Sequence, residues 1–172
     1  MPVLLLPQMN KEPFRTWLAV GTLLYTIFLV KVILLKGRLF FWVVPASRYY
    51  KRHMQNGTYH GYNLVPFRTV RYFLSDDVTF VSAFYNLAGN IALLVPFGFL
   101  LSMTLREKAR FTTILLVTAF LSIFFELYQL ISHTGQCDVD DVLLNTTGGA
   151  IGFLLFRLLS HATRKQRPLQ KT

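Results

Sequence analysis

The chain has 172 residues, 53% of them hydrophobic, with 18 Lys and Arg against 8 Asp and Glu and a net charge of +10. A mean hydropathy of +0.42 does not suit a soluble basic domain. The cations sit at the ends of long apolar runs rather than on one folded polar face, which argues against a nucleic-acid partner and for a small polytopic membrane protein. The lone Cys137 rules out an intramolecular disulfide and a four-cysteine metal site.

Four runs are long enough to cross about 30 Å of hydrocarbon: Trp17 to Leu35, Phe84 to Leu105, Phe111 to Ser132 and Val142 to Leu159. None shows the period-two alternation of a membrane barrel strand, and an open sheet edge cannot persist in lipid, so the runs are read as helices. The expected fold is an all-α integral membrane protein, a bundle of about four transmembrane helices with an extended outer loop after the first. The bilayer is therefore the first partner. No small-residue cleavage site follows the first run, so this span is expected to act as its own uncleaved membrane signal. Lys31, near its end, can snorkel to the interface. Leu39 to Val44 is apolar but too short to cross and is followed by Pro45, which suggests an interfacial or re-entrant piece. One transmembrane domain covers residues 10–162 and a basic cytoplasmic tail covers 163–172, without a repeat or a second domain.

Orientation follows from cations in the short loops. Arg106, Lys108 and Arg110 join the second and third spans, and Arg164, Lys165, Arg167 and Lys171 follow the fourth, while the connection from Ser132 to Asp141 has no Lys or Arg. Both termini are thus expected in the cytoplasm of a multi-pass cell-membrane protein, with Ser132 to Asp141 outside. The loop from Lys36 to Ser82 then lies outside despite Lys36, Arg38, Arg48, Lys51, Arg52, Arg68 and Arg71. Such a loop can hold anionic headgroups or pyrophosphates, with Arg68 and Arg71 as candidates, or it can be solvated charge that the topology tolerates.

The polar residues of the spans converge in this frame. Asn86 and Asn90 share one face near the outer start of the second span, and Glu126 and Gln129 share one in the outward third of the third. Asp138, Asp141 and Asn145 recur at steps of three and four where the fourth span begins. All lie within about 10 Å of the outer face by helical rise, so one shared polar site is the economical reading. Gly148 and Gly152 make a small-x-x-x-small step suited to close helix contact, and Pro96, with Gly98 beside it, frees the carbonyl of Ala92.

The elements YNLVPFRTV (Tyr62 to Val70), NLAGNIALLVPFGFLL (Asn86 to Leu101), FELYQ (Phe125 to Gln129) and DVDDVLLNTTGGAIGF (Asp138 to Phe153) together resemble the VanZ-like family over roughly residues 20–160. The resemblance implies an integral membrane protein of a bacterial envelope, in a family whose prototype lowers susceptibility to teicoplanin. Carried over by position, it points to Asn90, Glu126, Gln129, Asp138, Asp141 and Asn145, together with Pro66, Phe67, Pro96 and Gly98. Asp140 is weighted below its neighbours.

Three readings of the polar site stay open. It recognises an acidic lipid or a lipid-linked cell-wall intermediate at the outer leaflet, with Glu126 and Asp141 aiming a hydrogen-bond network or a shared cation. Alternatively, paired carboxylates do acid and base work or hold a divalent ion. In the third reading, amides and carboxylates only tie helices together. There is no G-x-S-x-G and no H-E-x-x-H, and His133, Cys137 and Asp138 supply too few soft ligands for a zinc corner, so no cofactor or metal is expected.

Overall fold

The computed structural model describes residues 11–39, 62–75, 78–132 and 136–165. In chain order these hold α1 (Lys11–Leu39), β1 (Tyr62–Asn63), α2 (Arg68–Phe73), α3 (Phe80–Leu105), a 3-10 turn (Arg106–Lys108), α4 (Phe111–Ile131), β2 (Cys137–Asp138) and α5 (Val139–Lys165). Three helical stretches are long and apolar enough to cross a membrane: Ala83–Lys108, Phe111–Ile131 and Val139–Ala162. In α1 the corresponding stretch is the shorter Thr16–Val32, although the whole helix, at 29 residues, rises about 43 Å. The protein is an all-α membrane bundle.

The helices outrun the apolar segments that mark them. α3 begins four residues before Phe84, and α5 runs from Val139 to Lys165 rather than from Val142 to Leu159. Asp140 and Asp141 favour the first turn of α5 through the helix dipole, and the Ala, Arg and Lys near its end are good helix formers. Hydropathy marks where lipid ends, not where the backbone hydrogen bonds end. The expected tail boundary at 163 therefore falls inside a helix. Residues 166–172 lie outside the described residues, as do residues 40–44 of the piece expected to be interfacial or re-entrant and the cations Arg48, Lys51 and Arg52.

α3 and α5 run side by side in the same direction, because Gly148 meets the Ile91 carbonyl and Gly152 meets Val95 and Phe99 further along both helices. A Cβ at Gly148 or Gly152 would collide with α3 backbone, and one at Gly98 would collide with Gly149. The expected close contact at the small-residue step is thus made with α3. α4 is antiparallel to α5, its Thr118 side chain filling the space above Gly149. On the other flank of α3, Leu29 of α1 packs with Leu94, Phe97 and Phe125, and the Tyr25 hydroxyl donates to the Leu93 carbonyl at 2.7 Å. Pro96 stays within a continuous α3, and that tyrosine bond lies one residue from the carbonyl its ring leaves without a helical partner. Ala109, Ile114, Phe153 and Phe156 form a second apolar cluster at the far end. These directions bring the start of α3, the end of α4 and the start of α5 together at one end, termed the mouth.

Candidate functional site at the mouth of the bundle

Residues 62–74 form a strap that docks onto the mouth through carboxylates. Tyr62 and Asn63 pair in parallel with Cys137 and Asp138. The Asn63 amide donates to Asp138 Oδ1 and to Thr69 Oγ1, both at 3.1 Å, and the Thr69 hydroxyl donates to Asp138 Oδ2. Asp138 also accepts the Asp140 N–H at 2.9 Å, an Asx turn that opens α5.

Asp140 is fully buried and binds backbone alone. Its Oδ1 accepts the Phe67 N–H at 2.5 Å, and its Oδ2 accepts the N–H groups of Thr69 and Val70 at 2.8 and 3.1 Å. The donors are the free N–H groups at the start of α2, so a carboxylate from another helix serves as the cap that Phe67 cannot supply. Phe67 itself has φ 63° and ψ 8°, and the Arg68 N–H donates to the Val65 carbonyl at 3.3 Å. With Pro66 second and a left-handed third residue, Val65 to Arg68 has the form of a type II turn, in which Gly or Asn is the usual third residue.

Below the strap, Glu126 is 3% exposed, and its Oε2 accepts the Asp138 N–H at 2.8 Å, linking the third span to the chain entering the fourth. The Asn90 amide donates to Asp141 Oδ1, joining α3 to α5. One turn deeper, the Asn145 amide donates to Ser122 Oγ at 2.8 Å, leaving Asn145 Oδ1 buried without a hydrogen-bond partner among the described residues. Asn86 is half-buried one turn before Asn90, and Gln129 is buried on the face of α4 that carries Glu126.

The polar candidates read from the sequence thus gather at one end, several of them joined by hydrogen bonds. Glu126 joins Asp138, Asn90 joins Asp141, and Asn145 joins Ser122. Asp140, weighted below its neighbours, accepts three hydrogen bonds, all from a segment some seventy residues earlier. Asn63, Thr69 and Ser122 were not singled out. Asn63 and Thr69 lie within the Tyr62 to Val70 element, but nothing local signals that their partner is Asp138. Arg68 and Arg71 are exposed, three residues apart on α2.

Burial pushes the Asp138 carboxyl above its ordinary range, and Asp141 adds to the rise, while bonds from Thr69, the Asp140 N–H and Asn63 pull the other way. Burial likewise raises the Cys137 thiol, reinforced by Glu126 and Asp138. Among the described residues no three His, Cys, Asp or Glu side chains converge to hold a metal ion. His133, considered with Cys137 and Asp138 for a zinc corner, lies outside the described residues.

The VanZ/LLP1 family matches residues 22–160, a range that includes the strap and the whole mouth. Protein VanZ of Enterococcus faecium is 28% identical over 144 residues, covering 83% of this chain and 76% of that protein. No solved structure matches. With four-fifths of its length matched, and with the transmembrane bundle described above, the chain belongs to the VanZ/LLP1 family.

Proposed function

We propose that the protein acts at the outer leaflet of a cell membrane, on a cell-envelope lipid or on susceptibility to teicoplanin-type glycopeptides, through the polar site at the mouth. The supporting observation is the gathering of Glu126, Asp138, Asp140 and Asp141 at one end of an apolar bundle, beneath a strap that exposes Arg68 and Arg71. A carboxylate costs about 2.5–3.5 kcal/mol at the centre of a spanning helix and less toward its ends, and such residues are kept where a polar partner, ion or substrate uses them. In this reading both termini are cytoplasmic, as the short-loop cations favour, and the mouth faces outward. Arg68 and Arg71 contact phosphates of an anionic lipid or lipid-linked cell-wall intermediate, while Glu126 and Asp141 orient its polar part or a shared cation.

The test is expression in a susceptible Gram-positive host, with teicoplanin and vancomycin susceptibility measured beside a lipid profile. The expected result is a selective change in teicoplanin susceptibility, or a shift in an anionic or lipid-linked species, that Arg68→Ala with Arg71→Ala weakens without lowering membrane abundance. Unchanged susceptibility and lipids at normal abundance would overturn the proposal.

A further inference from the structure

The strap shows two unlike sides. Asn63, buried at 4% exposure, and Thr69 turn toward the bundle carboxylates, whereas Leu64, Val65, Phe67 and Leu74 are 66, 57, 55 and 70% exposed. Four large apolar side chains within eleven residues, beside two exposed arginines, make an amphipathic surface that water alone would disfavour.

The docking bonds set the depth of that surface. Asp140 holds the backbone of Phe67, Thr69 and Val70 from the first turn of α5, where that helix enters its apolar stretch at Val139. α2 packs against both α3 and α5. Near the start of α3, where the membrane-length stretch opens at Ala83, Phe80, Val81 and Phe84 are also exposed, so both the strap and the helix end it packs on present apolar side chains outward. The arginines then lie at the level of the headgroup phosphates, with matching charge. Phe67 adds an independent indication. Its backbone occupies a left-handed turn position that Gly would fill with less strain, and its ring is more than half exposed, so the fold gains little from an aromatic there.

We propose that the Leu64 to Phe67 turn and Leu74 form a shallow membrane seat, inserted into the interfacial region of the leaflet at the mouth, with Arg68 and Arg71 on anionic headgroups. The seat fixes the strap, and through Asp138 and Asp140 the polar site, at the depth where a lipid headgroup arrives. This rests on the outer-leaflet reading only for which leaflet is involved; insertion itself is measured without a phenotype.

The experiment places a nitroxide label on Val65→Cys in full-length protein carrying Cys137→Ser, reconstituted in vesicles of equal phosphatidylglycerol and phosphatidylcholine. Accessibility to oxygen and to a water-soluble nickel reagent is compared with labels at Phe120→Cys, exposed in the middle of α4, and Glu107→Cys, in the 3-10 turn. The expected result is nickel exclusion at Val65 approaching that at Phe120, partly lost in the Arg68→Ala and Arg71→Ala double variant or in vesicles of phosphatidylcholine alone. Nickel access equal to that at Glu107 would overturn the seat. So would spin–spin broadening that disappears on dilution with unlabelled protein, since the turn would then meet a second copy. Insertion without any susceptibility phenotype would leave the seat standing and count against the proposed function; a phenotype without insertion would do the reverse.

Discussion

The contact between α3 and α5 differs in kind at its two ends. Toward the far end it is backbone on backbone, with Gly98 against Gly149 and Gly152 against Val95 and Phe99, and the nearby hydroxyls of Ser102 and Thr118 bond carbonyls of their own helices. At the mouth the same pair is joined by Asn90 and Asp141, with Glu126 of α4 bonded to the Asp138 N–H just before α5. The glycine half shows that these helices can pack without charge. Interhelical hydrogen bonds contribute about 1 kcal/mol or less, and burying a carboxylate costs free energy unless it is fully paired, so packing alone is a poor reason to keep the acids. The proposed reading assigns the glycine half to scaffold and the acidic end to the site.

The largest effect is expected in the scaffold half. Gly152→Leu forces α3 and α5 apart at backbone, and overpacking of this kind costs about 3 kcal/mol or more, so membrane abundance should collapse. Gly89→Ala in the same α3 has open space around it and should be neutral or stabilising by up to about 1 kcal/mol, read as thermal unfolding in detergent. Equal behaviour of the two variants would contradict the glycine seam.

Asp140→Asn should come next. One carboxylate oxygen accepts Phe67 and the other accepts Thr69 and Val70, so an amide places donors against donors on one side whichever way it turns. The loss of about 2–3 kcal/mol in charge-assisted bonds should free the strap. Hydrogen exchange in residues 67–73 should quicken while α4 keeps its protection. Unchanged exchange would remove Asp140 as the anchor.

The smallest effects concern pH. Burial raises the Asp138 pKa in the folded protein although the strap's donors Thr69 and Asn63 act against the rise, so the folded protein as a whole favours the protonated acid. Its contribution is fully present below the ordinary value of 3.8 and is lost as pH rises through the shifted pKa. Thermal unfolding in detergent should therefore shift upward on acidification toward 3.8 by more in the wild type than in Asp138→Asn. Cys137, raised above 9.0, should react slowly with an impermeant maleimide near neutrality and faster as pH rises. Fast labelling at neutral pH would contradict its shielded setting.

Much of this architecture was legible in the chain. Apolar run length located the spans, and steps of three and four placed Glu126 with Gln129 and Asp141 with Asn145 on shared faces, because both signals are local. The strap was not legible, since Asn63 and Thr69 find Asp138 across about seventy residues and a left-handed Phe67 contradicts its own propensity. Asp140 ranks below its neighbours in the sequence reading, because its partners in the strap lie about seventy residues away and leave no local signal. Within Asp138 to Asp141, spacing alone does not say which acid turns to the strap and which to α3.

Glu126→Gln together with Asp141→Asn separates charge from packing most cleanly. Glu126 accepts the Asp138 N–H and Asp141 accepts the Asn90 amide, so an amide oxygen at either position can keep the bond while the charge is removed. Measured by teicoplanin susceptibility and envelope lipid profile beside membrane abundance, the variant should accumulate normally and lose the phenotype of the wild-type protein. Full activity at normal abundance would contradict a site that works through charge and leave these acids as ties between helices.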